Sequence, residues 1–225
     1  MISAAYHKLL TAIREAENKY HRPLNSVQLL AVSKGQNVNK IIEAYHAGQY
    51  AFGENYLQEA LAKMALLPDK NIEWHFIGQL QRNKTRKIAE HFSWVHSVDD
   101  ILLAQRLNDQ RPEHLPPLNI CIEVNMSHEK NKSGVAISEV LTLANACQPL
   151  PRIKLRGLMV IPAATHDVEK QRATFHQLFL LQQSLLAQSI LVDTLSMGMS
   201  DDYEAAIAEG STIVRIGSAL FGARE

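Results

Sequence analysis

The chain contains only two cysteines among 225 residues, which limits the covalent frameworks it can form. Cys121 and Cys147 fall on different predicted elements, and neither belongs to a Cys-x-x-Cys pair. This spacing argues against a disulfide framework or a zinc knuckle and fits a reducing compartment, so we expect a cytoplasmic protein. His75, His91 and His96 also lack metal-ligand spacing with nearby cysteines or acids, so we expect no metal site.

An excess of charge of either sign is also missing, because 23 Lys and Arg residues balance 23 Asp and Glu residues. A neutral balance argues against general binding to nucleic acid or to an anionic membrane, both of which need a net basic surface. No apolar run approaches the length of a membrane span. Charged side chains interrupt the apolar pattern of the N-terminal segment, unlike a signal peptide. No linker or low-complexity tract is evident, so we expect one domain over residues 1–225.

Hydrophobic patterning divides the chain into about eight strands, each followed by a helix, after an amphipathic helix over residues 3–20. Strict alternation of strands and helices predicts parallel strands joined by right-handed crossovers. Eight such units in 225 residues predict an α/β fold, a single (β/α)8 TIM barrel with an extra N-terminal helix. The alternative is an open doubly wound sheet, but no Gly-x-Gly-x-x-Gly turn follows the first strand.

The segment Val27–Gly35 places a lysine, Lys34, at the exit of an apolar strand. A lysine is rarely found there unless its ammonium group has a partner or a role. In one interpretation the aliphatic stem packs, while the amine reaches solvent or meets a carboxylate. In the other the amine lies in a pocket and condenses with an aldehyde as a Schiff base.

Two glycine-bearing turns follow the seventh and eighth predicted strands, where barrels of this kind usually bind phosphate. Ser196–Ser200 and Gly217–Ser218 offer hydroxyls and backbone N–H groups to an anion. In the alternative interpretation Ser200 only caps the following helix, and the neighbouring Asp201 and Asp202 would repel a phosphate that they faced.

Two polar residues at other strand ends each allow two interpretations. Arg215 interrupts an apolar strand, either in an ion pair with a carboxylate of a neighbouring strand or as a donor to a ligand at the barrel mouth. Asn55 either caps the next helix, with Gln58 at the capping-box position, or faces a ligand. These residues leave both pairs of alternatives open.

Eight motifs occur in an order that is jointly very specific, from Val27 nearly to the C-terminus. They are Leu-Leu-Ala-Val-Ser-Lys34, Phe-Gly-Glu-Asn55-Tyr, Trp-His75-Phe-Ile-Gly, Leu-Gln81-x-Asn83-Lys, Lys132-Ser-Gly134, Arg156-Gly-Leu-Met159, Ser196-Met-Gly-Met-Ser200-Asp and Val-Arg215-Ile-Gly-Ser218-x-Leu-Phe-Gly. On these motifs the chain resembles the pyridoxal 5′-phosphate homeostasis protein family, which is similar in fold to the barrel domain of bacterial alanine racemases.

The resemblance implies that the chain binds pyridoxal phosphate and that Lys34 holds it as an internal aldimine. It also implies that Ser200, Gly217 and Ser218, together with Ser196, hold the phosphate group.

The resemblance further implies that Arg215 faces the pyridine nitrogen and that Asn55 lies beside the cofactor. Because an arginine can only donate, the nitrogen would stay unprotonated and carbanion formation would be weakly supported. Two departures from the family pattern are local. Gly35–Asn37 replaces a Thr-Lys-Pro-like continuation, and Gln79 stands where proline or lysine is common, so we expect a looser loop after the first strand.

The function that the resemblance implies is intracellular vitamin B6 homeostasis, without robust catalysis. The chain would hold pyridoxal phosphate and pass it to apo forms of pyridoxal-phosphate enzymes, with Lys84 and Lys132 near the mouth as secondary amines. The alternative is an amino-acid racemase, which needs an acid or base on each face of the substrate. Only Tyr56 and Tyr203 are tyrosines near predicted strand ends. A third class is a Schiff-base aldolase that uses Lys34 without a cofactor. We expect a monomer.

Overall fold

The structure is a computed structural model that describes residues 1–68, 70–126 and 133–222. Within these residues, eight strands form one sheet: β1 Gln28–Val32, β2 Ala51–Glu54, β3 Glu73–Phe76, β4 Trp94–Val98, β5 Leu118–Glu123, β6 Ile153–Met159, β7 Thr194–Ser196 and β8 Ile213–Ile216. Every strand runs parallel to its neighbours, and β8 pairs with β1 to close a barrel. The predicted (β/α)8 TIM barrel is confirmed, and the open doubly wound sheet is not formed.

Helices alternate with the strands and cover the outside of the barrel. Those of the described residues are α1 Ile2–Lys19, α2 Val38–His46, α3 Leu57–Ala65, α4 Thr85–His91, α5 Ile101–Gln110, α6 Val140–Cys147, α7 Val168–Ala187, α8 Tyr203–Ala208 and α9 Ser218–Phe221, with a 3-10 turn Ile137–Glu139 before α6. The extra N-terminal helix is α1, which packs against α2, α8 and α9. In the described part of the chain, no helix combines the length and the apolar character needed to cross a membrane.

Several helices begin at side chains that suit a helix N-terminus. Asn37 Oδ1 accepts hydrogen bonds from two backbone N–H groups at the start of α2. Asp167 does the same for α7, and Asp100 accepts one such hydrogen bond, from the Leu102 N–H, at the start of α5. Such caps satisfy donors that have no partner within the helix, so they fix where each loop ends and which loop residues remain near the barrel mouth.

The inside of the barrel is divided between apolar and polar side chains. Leu30, Ala51, Ile77 and Ile213 form one apolar cluster, and Trp94, Cys121 and Met159 form another. Buried polar side chains also point into the barrel, among them His75, His96, Ser196 and Arg215. Buried polar groups need hydrogen-bond partners, so the inside of this barrel both fills space and orients the groups beneath the mouth.

Candidate functional site

A cavity of about 310 Å³ opens at the end of the barrel where the strands terminate. Six of the seven residues predicted to bind a ligand line it, namely Lys34, Asn55, Ser200, Arg215, Gly217 and Ser218. The cavity is also lined by residues that were not among the predicted ligand-binding residues, namely Val32, Gln36, Ile77, Ile161, Met199, Asp201 and Gly222. Most of these lie in loops whose course no local pattern predicts.

Lys34 lies two residues beyond β1, is half-buried and lines the cavity. The backbone on both sides of it is held by hydrogen bonds. Ser33 Oγ donates to Glu54 Oε1 over 2.6 Å, and the Gly35 N–H donates to Glu59 Oε1 over 2.7 Å. The backbone that carries Lys34 is therefore joined to β2 on one side and to α3 on the other.

The loop after Lys34 contains several hydrogen bonds of its own. Asn37 caps α2, and the buried Gln36 accepts a hydrogen bond from Lys40 Nζ over 2.9 Å. Gly35 adopts φ +69°, a conformation that glycine takes without steric cost. The residues that replace the family pattern thus supply hydrogen bonds of their own.

A buried lysine that sequence analysis missed, Lys63 on α3, joins the carboxylates beside Lys34. Its Nζ lies 2.7 Å from Glu54 Oε1, 2.6 Å from Glu59 Oε1 and 2.7 Å from the Ser33 carbonyl. Burial raises the pKa of Glu54, while the hydrogen bonds from Lys63 and Ser33 oppose that rise. The sequence shows only a Glu59–Lys63 pair at i,i+4 spacing, which is typical of an exposed helix surface.

Asn55 follows β2 and does not cap the next helix, which was the structural alternative for it. Tyr56 holds the N-cap position of α3 without a side-chain hydrogen bond. Asn55 Oδ1 is buried and has no partner among the described residues. A Cβ atom on Gly78 would lie 2.1 Å from the Asn55 carbonyl oxygen, so only glycine lets the two strand ends approach this closely. A donor from a ligand would satisfy the amide oxygen.

Ser200 and Ser218 come together on the opposite wall, where Ser218 Oγ donates to Ser200 Oγ over 3.1 Å. Ser200 is not the cap of α8, because Asp202 holds that position. Asp202 Oδ1 accepts the Met199 N–H over 2.6 Å and so bonds to its own loop, whereas Asp201 lines the cavity. The structure thus favours a ligand-facing role for both hydroxyls, with one carboxylate at the rim.

Gly217 lets β8 end close to β1 and leaves backbone donors at the cavity. A Cβ atom on Gly217 would lie 3.1 Å from the Val32 carbonyl oxygen. The N–H groups of Gly217 and Ser218 donate to no carbonyl of the described residues. Two hydroxyls and two backbone N–H groups at one wall form a set of donors that suits an oxyanion.

Arg215 is buried, and its ion-pair alternative is not seen among the described residues. Its Nη1 donates to Ser196 O over 2.5 Å and to Ser196 Oγ over 2.8 Å, and its Nη2 donates to Val160 O over 2.8 Å. These bonds use three of the five guanidinium N–H groups, and no acceptor in the described chain takes the other two. Burial lowers the pKa of Arg215 to about 10, so it remains a cation and a donor at neutral pH.

Ser196 differs from the other predicted site residues because it lies below the cavity. It is fully buried at the end of β7 and does not line the cavity. Its Oγ lies 2.8 Å from both Arg215 Nη1 and His96 Nδ1. The last residue of this strand points inward, so Ser196 lies under Arg215. The resemblance implied a direct contact with the phosphate instead.

Comparison with known proteins shows the family. The model of the alanine racemase N-terminal domain matches residues 9–225. The curated pyridoxal phosphate homeostasis protein of Vibrio alginolyticus is 55% identical over 221 residues, which cover 96% of this chain and 95% of the relative. The protein of the same name from Pseudomonas aeruginosa is 55% identical over 218 residues, covering 97% of this chain and 94% of the relative. This chain belongs to the pyridoxal phosphate homeostasis protein family.

A solved member of this family has the same fold. The structure of PipY from Synechococcus elongatus with PLP bound has a TM-score of 0.82 and 39% identity, and the alignment covers 93% of this chain and all of PipY. The family resemblance seen in the motifs is therefore confirmed by relatives that match nearly the whole chain.

Other features predicted for a member of this family lie away from the cavity or outside the described residues. Lys84 is half-buried at the start of α4 and does not line the cavity, while Lys132 lies outside the described residues. Tyr56 and Tyr203 do not line the cavity either. In the described ranges, no group of three or more His, Cys, Asp or Glu side chains is arranged to hold a metal ion.

Proposed function

We propose that this chain is a single pyridoxal-phosphate-binding barrel domain that holds the cofactor at the barrel mouth and supplies it to other proteins. The observation that carries the proposal is the convergence of one amine, two amides, one guanidinium and two hydroxyls on a single cavity. Pyridoxal phosphate needs an amine for its aldehyde, donors for its phosphate and a partner for its ring nitrogen. The family relatives carry that cofactor or its homeostasis in their names.

The cavity passes a test of fit on its own geometry. Asn55 Oδ1 is a buried acceptor that finds no donor in the described chain. Two N–H groups of Arg215 are likewise unused by the described residues. Unpaired buried polar groups are costly, and a ligand with both donors and acceptors would satisfy these. The cofactor's phosphate and pyridine acceptors match the donors on the Ser200, Gly217 and Ser218 wall and on Arg215.

Each residue then has a distinct task. Lys34 would hold the cofactor through its aldehyde, and the chemistry that the cofactor would supply when bound is reversible condensation with an amine. Ser200 and Ser218 donate their hydroxyls to the phosphate, with the N–H groups beside Gly217. Asn55 orients the ring edge. Ser196 acts from below by holding Arg215.

Arg215 explains why this protein stores the cofactor and does not use it broadly in catalysis. A guanidinium donates a hydrogen bond but does not transfer its proton at neutral pH, so the pyridine nitrogen remains an acceptor. A neutral ring withdraws electrons weakly and gives little support to a carbanion. Racemisation also needs a second acid or base, and no tyrosine of the described residues lines the cavity. The function is therefore homeostasis and supply, and no observation favours the racemase alternative.

The same proposal covers the surroundings in which the protein works. We propose a monomer, because a barrel with an exposed mouth needs no partner subunit to hold pyridoxal phosphate. Cys121 and Cys147 are buried and unpaired, which suits the reducing cytoplasm. The proposed recipients are apo forms of pyridoxal-phosphate enzymes, which take the cofactor when their own lysine displaces Lys34.

The absorbance spectrum of the purified protein, with and without added pyridoxal phosphate, tests the cofactor and Lys34 together. We expect a band near about 420 nm in the native protein, which Lys34→Ala abolishes. Lys84→Ala is the matched control and should keep the band, because Lys84 lies outside the cavity. Absence of the band under excess cofactor would contradict the proposal and leave a lysine that acts without cofactor.

Supply is tested separately by mixing the loaded protein with an apo-enzyme that requires pyridoxal phosphate. Enzyme activity should return faster than the cofactor dissociates from the loaded protein alone. Return at the dissociation rate would mean that the protein stores the cofactor without handing it over directly. Turnover of an amino acid by the loaded protein itself would favour the racemase.

A further inference from the structure

A chain of hydrogen bonds crosses the inside of the barrel, from Glu73 at the start of β3 to Arg215. Glu73 Oε1 lies 2.8 Å from His75 Nε2, and His75 Nδ1 lies 2.8 Å from His96 Nε2. His96 Nδ1 lies 2.8 Å from Ser196 Oγ, which lies 2.8 Å from Arg215 Nη1. Both imidazoles and the serine are fully buried, whereas the Glu73 side chain is 42% exposed. Four consecutive hydrogen bonds thus join the far end of the barrel to the cavity.

Burial favours the neutral form of both imidazole rings. Burial lowers the pKa of His75, against the opposing effect of Glu73, and lowers the pKa of His96 further, where the nearby Arg215 charge adds to the effect. His75 also stacks on Trp94, with ring centroids 5.3 Å apart and planes within 4° of parallel. A neutral imidazole carries one N–H donor and one acceptor nitrogen, so each ring must pass the hydrogen bond on in one direction.

The Glu73 end of this hydrogen-bond chain determines which atom donates in each bond. The hydrogen bond from His75 holds the pKa of Glu73 below its usual value, so this carboxylate only accepts. His75 must therefore donate from Nε2 and accept at Nδ1. His96 must then donate from Nε2 and accept at Nδ1, and its donor is the Ser196 hydroxyl.

The cavity end requires the same direction independently. Arg215 has no acceptor atom, so Ser196 Oγ must accept from its Nη1. The single hydroxyl hydrogen of Ser196 then points to His96 Nδ1. In the reverse direction His75 would offer a lone pair to the Glu73 carboxylate, and the Ser196 hydrogen would have no acceptor among its described neighbours. Two groups of fixed character, one at each end, therefore determine all four hydrogen bonds.

We infer that Glu73, His75 and His96 are positioning residues for Arg215, which they hold through a one-way chain of hydrogen bonds with both imidazoles in the Nε2–H form. The role in ligand binding rests on the proposed function, whereas the direction of the chain does not. Hydrogen bonds in series polarise one another, so the Glu73 carboxylate strengthens Ser196 Oγ as the acceptor for Arg215. The chain ends at a cation that keeps its proton, so it orients a group and conducts no proton.

Nitrogen NMR of the protein without cofactor tests the direction. Histidine labelled with ¹⁵N shows by long-range ¹H–¹⁵N correlation which ring nitrogen carries the proton, and the signals are assigned by their loss in His75→Gln and His96→Gln. We expect neutral Nε2–H rings at both positions at neutral pH. An Nδ1–H or cationic ring at either position would overturn the inference, whether or not the protein binds pyridoxal phosphate.

Affinity for pyridoxal phosphate tests the positioning role. In Glu73→Gln the amide can donate as well as accept, so the direction is no longer imposed. We expect a second set of histidine signals and a Kd raised roughly three- to ten-fold. Glu113→Gln removes an exposed carboxylate that takes no part in the hydrogen-bond chain, and it should match the native protein in both measurements.

A double-mutant cycle separates action through the chain from general loosening of the barrel. Ser196→Ala interrupts the hydrogen-bond chain next to Arg215. Glu73→Gln should therefore weaken binding no further in that background. An equal loss of affinity in both backgrounds would overturn the positioning role. If the native protein binds no pyridoxal phosphate, the proposed function fails, and the NMR result still decides the direction of the chain.

Discussion

The two cations that line the cavity are supported from opposite sides of the barrel wall. Lys34 depends on a charged network that reaches outward to α3, where Lys63 joins Glu54 and Glu59. Arg215 depends on neutral groups inside the barrel, namely two backbone carbonyls and the Ser196 hydroxyl. The first network holds the backbone beside a side chain, and the second holds the side chain itself.

This difference matches the role we propose for each side chain. The proposed covalent bond to Lys34 needs a fixed starting point for the side chain, which the bonds at Ser33 and Gly35 supply. The proposed donation from Arg215 to a ring nitrogen needs a fixed direction, which three hydrogen bonds on the guanidinium supply. Ion pairs fix a charge strongly, but the loss of one partner leaves the other as a costly unpaired charge. Neutral hydrogen bonds can be removed one at a time.

The largest effect is expected from Lys63→Met, which breaks the charged network. It leaves Glu54 fully buried next to a second carboxylate, and breaking a buried ion pair on one side costs about 3–5 kcal/mol. Chemical denaturation measures the free energy of unfolding. Lys87→Met is the matched control, because its pair with Glu90 is exposed and should cost less than about 1 kcal/mol.

The double variant Lys63→Met/Glu54→Gln sharpens this test. Removing the stranded charge should restore part of the lost stability, because the penalty lies in the unpaired carboxylate and not in the missing amine. If Lys63→Met unfolds no more easily than Lys87→Met, the network beside Lys34 does not have the strength that its burial implies.

In both regions the cavity-lining side chain could be predicted from the sequence, whereas the residues that support it could not. Lys34 and Arg215 were found because one is a charged residue just after an apolar strand and the other is a charged residue within one, and position along a strand predicts the mouth of a barrel. Their supports were not found, because Glu54 and His96 come from other strands and meet these groups only through barrel closure. The depth of Ser196 was missed for the same reason, since three residues of β7 show no alternation that tells inside from rim.

The next largest loss of stability is expected when alanine replaces the glycines beside the two cavity walls, Gly78 and Gly217. A Cβ atom on Gly78 would lie 2.1 Å from a backbone oxygen, whereas one on Gly217 would lie 3.1 Å from a backbone oxygen. Gly78→Ala must therefore displace the backbone of Asn55, at a cost of about 3 kcal/mol, and Gly217→Ala should cost about 1 kcal/mol. Thermal unfolding of both variants checks the order. A reversed order would mean that the Lys34 side yields more easily than the Arg215 side.

A pH dependence of stability is expected from Glu123, a buried acid near Arg215. Burial raises the pKa of Glu123 to about 7, Asp99 adds to the rise, and Arg215 opposes it. A raised pKa means that the folded state prefers the protonated acid. The stabilisation is complete below the ordinary pKa of 4.5 and is lost as the pH rises through about 7.

Glu123→Gln mimics the protonated acid and should remove this loss. Its free energy of unfolding should match the native value near pH 4.5 and exceed it by about 2–3 kcal/mol above pH 8, as denaturation at a series of pH values would show. Glu113→Gln, which removes an exposed carboxylate, controls for the change in net charge. A variant less stable than the native protein at high pH would mean that Arg215 relies on the Glu123 charge and is not held by neutral groups alone.

The smallest effect is expected at the rim, where Ser218→Ala removes one hydroxyl from the proposed phosphate wall. Ser218 is exposed, so the free energy of unfolding should change by less than about 0.5 kcal/mol. The Kd for pyridoxal phosphate should rise roughly three- to ten-fold, because one donor to a charged group is lost. Ser218→Thr keeps the hydroxyl and should bind like the native protein. If the alanine variant binds equally well, Ser200 and the backbone donors beside Gly217 hold the phosphate by themselves.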